Sequence, residues 1–328
     1  MRKFLLLPLL GLLLACHHAS GQQDPMFTNY FFNSLIFNPA VAGTNNHLTA
    51  HLIHRSQWLG LEGAPTTQSL SVHSPMKNER VGLGLSLVND KIGASGTFDL
   101  NAAYAYHFSV GKKMKLSIGL QGGVTNWRGT WSKLLLEDRT DDVFIENLNI
   151  WKPNFGTGLF LHGERFFAGL GCPRLLEHDL RANDGNTSVN AQNYRHYYSI
   201  IGAAFPLGSE LVVFRPSALL KTTGLFSKMK DNQQALGAPT ALDVDASFFF
   251  HKMLWVGLAY RTALELSNSS NDSADLWTAL YFRNGLRLGA SYDLPLSKLN
   301  KVNNGSFELM AGYEFDIKVR RVTSPRYF

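Results

Sequence analysis

The chain has 328 residues, of which 45% are hydrophobic, 12% aromatic and 17% charged, with a formal charge of +6. Charge is sparse against the roughly 25% of an average soluble domain, and basic residues stand singly or in pairs such as Lys112-Lys113 and Arg320-Arg321, so no patch supports nucleic-acid binding. Two cysteines exclude a disulfide framework, and beyond the N-terminal segment no apolar run reaches the roughly 20 residues of a transmembrane helix.

The chain opens with Arg2 and Lys3, an apolar run, and then His17-His18-Ala19-Ser20-Gly21. This reads as a secretory signal peptide over 1–21, cleaved after Gly21 to leave Gln22. Leu13-Leu14-Ala15-Cys16 also resembles a lipobox, in which Cys16 is acylated and becomes the first residue. Ordinary cleavage leaves only Cys172, a small apolar filler at a strand end. Residues 22–45, rich in Asn and aromatics with Pro39 and Gly43, make no clean strand. They are expected to form an N-terminal arm or plug, a periplasmic latch, a docking strip, or a packed arm closing a barrel floor.

From there to the end the chain alternates. Phe98, Leu100, Ala102, Tyr104, Tyr106 and Phe108 oppose Asp99, Asn101, Ala103, Ala105 and His107. Met114 to Gln121, Leu286 to Asp293 and Phe307 to Ile317 repeat the pattern. A period of two over about ten residues is the signature of a tilted barrel strand. Such segments lie near 46–57, 66–74, 80–89, 96–109, 112–126, 153–164, 165–172, 194–206, 209–222, 240–251, 252–264, 273–283, 285–294 and 305–318. An even count of about fourteen returns both termini to one side of a membrane. Short turns at Gly111-Lys112 and at His162-Gly163-Glu164 read as hairpins, and 128–152, 174–193, 223–239 and 265–272 as loops. The fold class is therefore all-β, a transmembrane antiparallel barrel over 46–328 with an irregular N-terminal arm. A soluble sandwich shares this composition, but the face opposite the apolar one carries Gly, Ser and Ala as often as charge, which suits a crowded lumen. Tyr104, Tyr106, Tyr292 and Tyr313 suit interfacial girdles.

Chemistry is scarce. Gly82-Leu-Gly84 and Gly156-Thr-Gly158 lie within alternating strands and open no helix, so they read as lumen-facing glycines and not as phosphate cradles. His47, His51, His54, His73, His107 and His162 stand singly, without metal spacing. Glu137, Asp138, Asp141 and Asp142 are an acidic loop without the spacing of an EF-hand. Asn-x-Ser/Thr matches at Asn186, Asn268, Asn271 and Asn304 arise easily in polar loops. No Ser, His and acid stand in a nucleophile-elbow context. Catalytic residues, cofactor and metal are all expected to be none.

The segment Gln22-Gln-Asp-Pro-Met-Phe-Thr-Asn-Tyr-Phe-Phe-Asn33 is followed by Phe37-Asn-Pro-Ala-Val-Ala-Gly43, then Arg55-Ser-Gln-Trp-Leu-Gly60 and Gly63-Ala-Pro-Thr-Thr-Gln68. It resembles the start of the PorP/SprF family of outer-membrane proteins, found with the type IX secretion and gliding systems of the Bacteroidetes. Gly82 to Asp90 with Ile92-Gly93, Phe167 to Gly171 with Pro173, Arg215-Pro-Ser217 with Lys221, Gly289 to Asp293 and Ser324 to Phe328 follow in the family's order. There are departures: the family often has Gln or Met where this chain has Met26 and Phe31, and a Val-Pro-His type of segment where it reads Cys172-Pro173-Arg174. The resemblance implies a non-enzymatic barrel of about fourteen strands in the outer membrane. Its partners would be membrane lipid, a secreted adhesin or other type IX cargo, and periplasmic or outer-membrane components of the apparatus. Candidates for partner contact or arm docking are Asn38, Pro39, Arg55, Gln57, Trp58, Asn89, Asp90, Pro216 and Asp293. The reading kept open beside it is a porin-like channel for small solutes.

Overall fold

The computed structural model describes residues 25–45, 47–77, 79–131, 147–179, 192–223, 240–264, 271–296 and 303–315. The signal peptide and Cys16, the acidic cluster at 137–142, Asn186, Asn268 and the closing Ser324 to Phe328 block lie outside them. Among the described residues fourteen antiparallel strands form a closed barrel. They are β1 (Leu48–Ser56), β2 (Thr66–Pro75), β3 (Val81–Ile92), β4 (Ser95–Val110), β5 (Met114–Gly129), β6 (Leu148–Gly163) and β7 (Phe166–Cys172). The second half is β8 (His196–Ala203), β9 (Ser209–Thr223), β10 (Ala241–Phe250), β11 (Leu254–Ala263), β12 (Asn271–Tyr281), β13 (Leu286–Pro295) and β14 (Ser306–Phe315). Each strand pairs with its sequence neighbours, and β14 returns to β1 with Phe315 opposite Leu48 and Phe307 opposite Ser56. Among these fourteen strands no edge is left unpaired, as a sheet in lipid requires.

Boundaries differ from the sequence reading at several places, among them the following. The 194–206 segment breaks at Ala204, whose N–H turns to the Arg165 carbonyl (2.9 Å). Phe205–Leu207 then pairs separately with β9, and Pro206, which has no N–H, sits at its register shift. The loop set at 128–152 is shorter, because the ladder continues to Gly129 opposite Leu148. The strand set at 252–264 starts at Leu254, since His251 and Lys252 take φ of 50° and 56°. That is the left-handed pair a tight hairpin needs.

The alternation becomes two faces. In β4, Tyr104 and Phe108 are exposed while Ala103, Ala105 and His107 are buried. In β14, Leu309 and Tyr313 point out while Glu308 and Met310 point in. Exposed leucines run round the wall, with Leu83 at 48%, Leu120 at 59%, Leu170 at 57%, Leu258 at 63% and Leu276 at 54%. An apolar belt of this extent is a lipid face, since water-exposed apolar patches on monomers rarely exceed a few hundred Å². A soluble sandwich is excluded by the same observation. Aromatic pairs flank the belt: Phe98 with Trp151 (6.3 Å between centroids) at one end, and Tyr106 with Phe108 (4.7 Å) and Tyr313 with Phe315 (4.6 Å) at the other. Tyr104 lies nearer the middle, opposite Leu83 and Leu120.

The connections sort by end. The links 111–113, 164–165, 251–253 and 282–285 lie with the start of β1 and the end of β14, here called the turn end. The strand ends that border 57–65, 93–94, 130–147, 173–195, 224–240, 264–270 and 296–305 lie at the opposite, loop end. In outer-membrane barrels the short turns face the periplasm and the longer loops the outside.

Candidate functional site

The lumen is occupied by the chain itself. Residues 25–45 carry asparagines and a proline whose local hydrogen bonding competes with a strand ladder, and they form two 3₁₀ turns, Ser34–Ile36 and Pro39–Val41. Asn38 caps the second, its Oδ1 accepting from the Ala40 N–H (2.9 Å), with Pro39 at the first position, where no N–H is needed. The arm starts at the loop end, where Arg261 Nη2 donates to the Phe27 carbonyl (3.4 Å). It descends past Tyr30, hydrogen-bonded to Ser217 Oγ (2.9 Å), to Phe31 and Phe32 beside Trp255. The chain doubles back until Phe37 meets Tyr198 (4.8 Å) and Phe27 (6.0 Å). It then descends again to Gly43, whose N–H donates to His73 Nδ1 (3.2 Å).

The wall is shaped to receive this arm. Gly82, Gly119, Gly158 and Gly171 face it, and a Cβ on any of them would overlap the Ala42 carbonyl, the Ala40 backbone, the Asn38 side chain or the Phe37 carbonyl. Of the glycines that read as lumen-facing, Gly82, Gly84 and Gly158 are thus places where arm and wall touch, whereas Gly156 lies against the Pro173 carbonyl and Gln121.

At the loop end a charged cluster clamps the arm. Arg55 Nη2 meets Asp293 Oδ2 at 2.5 Å, and Arg55 Nη1 reaches Glu308 Oε2 at 3.4 Å, with all three side chains at most 3% exposed. Thr28 joins them: its Oγ1 accepts from Arg55 Nη1 (2.8 Å) and donates to Asp293 Oδ1 (2.7 Å). Glu308 accepts from the Thr28 N–H (3.0 Å), the Asn29 N–H (3.1 Å) and Asn29 Nδ2 (2.9 Å). A neighbouring pair, Arg261 with Asp243 (2.8 Å), continues the cluster toward the Phe27 carbonyl. Removing one member of a buried ion pair costs about 3–5 kcal/mol, because its partner stays charged and unmatched.

Toward the turn end the arm rests on aromatics. Phe31 packs on Trp277 (5.0 Å) and Trp255 (5.5 Å), and Phe32 lies edge-on to both. The Trp277 Nε1 donates to Asp245 Oδ2 (2.6 Å). The guanidinium of Arg215 sits 4.1 Å from the Phe31 centroid and 4.8 Å from that of Trp255. Stacking of this kind is worth about 2 kcal/mol when desolvated, yet Nε and Nη1 of Arg215 find no acceptor. An unmet buried donor costs about 1–3 kcal/mol.

The candidate residues therefore scatter into distinct places. Asn38 and Pro39 lie in the arm, where Asn38 Nδ2 donates to the Leu159 carbonyl (2.9 Å). Arg55 and Asp293, distant in sequence, meet at the loop-end clamp. Gln57 and Trp58 follow β1 into the loop, with the Gln57 N–H on the Pro65 carbonyl (2.9 Å) and the Trp58 N–H on Ser306 Oγ (3.3 Å). Asn89 bridges Gln68 and Arg128 (2.8 Å each), and Asp90 accepts from Thr67 Oγ1 (2.5 Å), both on the wall near the loop end. Pro216 falls on the half-buried outward face of β9, opposite Ala246. Sequence reasoning missed Glu308, Arg215 and Trp277. Alternation marks Glu308 as lumen-facing, but nothing local shows that it accepts from the arm. The singly spaced His51, His73 and His162 line one cavity, and among the described residues no group of three His, Cys, Asp or Glu could hold a metal ion. What the arrangement does chemically is bind and seal a segment of its own chain.

Comparison with known proteins agrees with this architecture. The fold is similar to the CymD monoaromatic hydrocarbon channel (TM-score 0.50, 11% identity, covering 86% of this chain and 92% of that one). It is also similar to a TodX deltaS2S3 mutant monoaromatic hydrocarbon channel (TM-score 0.50, 10% identity, 90% and 97%) and to the outer membrane protein Omp33 of Acinetobacter baumannii (TM-score 0.41, 10% identity, 82% and 99%). At such identities the likeness is one of fold alone. No curated protein matches the sequence. A family model described as "Type IX secretion system membrane protein PorP/SprF" matches residues 19–313, spanning the arm and the wall it fills. The chain is therefore an outer-membrane β-barrel belonging to the PorP/SprF family of type IX secretion system membrane proteins.

Proposed function

We propose that this protein is a non-enzymatic outer-membrane component of a type IX secretion and gliding apparatus that assists secretion or surface anchoring of a cargo protein. Residues 1–21 serve as the export signal, 22–45 as the arm and 46–328 as the barrel. The cargo is an adhesin or another protein carrying a type IX C-terminal signal, and periplasmic or outer-membrane parts of the apparatus are further partners. The observation that carries the reading is the filled lumen. A barrel whose interior is packed with its own residues from Phe27 to Gly43, and clamped by Arg55, Asp293 and Glu308, suits a scaffold better than a conduit. Its working surfaces are then the loops and the two ends, which a protein partner can reach.

Deleting the gene in its own bacterium tests this. Surface proteomics is expected to show one cargo lost from the cell surface while uptake of small nutrients stays at the parental rate. Normal surface display of every type IX cargo after deletion would overturn the reading, and a selective loss of solute uptake would point to a channel.

A further inference from the structure

Beneath Phe31 and Phe32, at the turn end, lies a cavity of about 80 Å³, where one water needs roughly 10–15 Å³. Its walls are aromatic: Phe31, Trp255 and Tyr281. Its polar groups are cationic or neutral. Arg287 lies on its half-buried rim with Thr44 and Asn45, stacked on Tyr281 (4.3 Å) and ion-paired with Glu314. Arg215 is different. It is 1% exposed, makes no ion pair among the described residues, and its Nε and Nη1 have no acceptor. Asp245, on the neighbouring strand, gives Oδ2 to Trp277 instead. His51 lines the same cavity but turns Nδ1 to the wall, where a Cβ on Gly312 would lie 2.8 Å from it.

We propose that this cavity binds a small carboxylate carried on a flat apolar body. A guanidinium stacked between rings and left without an acceptor is a charge-assisted donor for a carboxylate oxygen. Arg215 supplies the charged donor, and the ring walls take the body. A hydrated inorganic anion would leave the aromatic faces unused, and a neutral ring would leave Arg215 unmet. The site stands apart from the clamp that holds the arm.

Calorimetric titration of the full-length barrel in detergent with phenylacetate, its neutral isostere phenylacetamide, and acetate decides the matter. Phenylacetate is expected to bind saturably, at least about tenfold more tightly than either comparator, a gap of about 1.4 kcal/mol. Arg215→Gln is expected to abolish that preference and Arg215→Lys to weaken it about tenfold, with folding of each followed by heat-modifiable gel migration. If neither variant folds, the isostere comparison on the unaltered protein still decides. Equal binding of phenylacetate and phenylacetamide, equal binding of phenylacetate and acetate, no binding at all, or a folded Arg215→Gln that keeps the preference would each overturn the proposal.

Discussion

Replacing Glu308 by alanine tests whether the clamp holds the arm. The carboxylate accepts two backbone N–H groups, at Thr28 and Asn29, and the Asn29 side-chain amide, and it lies 3.4 Å from Arg55 Nη1. At 0% exposure it has no water to replace it. Hydrogen bonds to a charged group contribute about 1.5–3 kcal/mol each, but they are not additive, and breaking a buried ion pair costs about 3–5 kcal/mol. The ion pair lies within the wall, between β1 and β14, so the cost that falls on the arm is that of its hydrogen bonds to the carboxylate, about 1.5–3 kcal/mol when taken as non-additive. The population with the arm released should rise by roughly one to two orders of magnitude. Chymotrypsin reads this out, because Phe27, Tyr30, Phe31, Phe32 and Phe37 are cleavage sites that are shielded in the docked arm. Planar-bilayer recordings read it independently as openings that the parent protein lacks. Glu308→Gln keeps one acceptor oxygen and loses the charge, so it should fall between parent and alanine. If Glu308→Ala stays protected and silent while its barrel is folded, the clamp does not hold the arm and the reasoning fails.

Other substitutions probe separate links. Gly119→Val places side-chain atoms where the Ala40 backbone lies, whereas Gly122 has only the Phe155 ring at 3.7 Å. Gly119→Val is expected to expose the arm to chymotrypsin at a cost of at least about 1–3 kcal/mol, and Gly122→Val to leave it protected. Trp277→Phe keeps the ring and strands Asp245 Oδ2 without its indole donor. Its unfolding midpoint in a heat-modifiability series should fall by the equivalent of about 1–3 kcal/mol. Leu120→Arg puts a charge near the middle of the lipid face and should cost about 2–4 kcal/mol in a denaturant titration into lipid vesicles. Glu62→Arg, exposed in the loop after β1, should stay within about 0.5 kcal/mol of the parent.

The sequence alone determined the wall. Period-two alternation in β4, β5, β13 and β14 states which side chains face lipid and which face inward, because successive residues of a strand must point to opposite faces. The turn chemistry separated the strands, and where it misled, as at His251 and Lys252, the left-handed turn carried none of the Gly or Asn that usually mark it. The glycines of β3 and β6 were legible as inward-facing, though not what they face. Only the tertiary structure decided that the arm lies inside the barrel, which contacts hold it, and that Arg55, Asp293 and Glu308 form one cluster with Thr28. Those contacts join residues more than two hundred positions apart. Alternation is a property of neighbouring residues, whereas a lumen exists only once β14 has closed against β1. Until then Arg55 and Glu308 are two inward-pointing charges on strands at opposite ends of the chain. Closure makes them cross-strand neighbours, Arg55 directly opposite Glu308, and leaves the arm as the remaining polar surface within their reach.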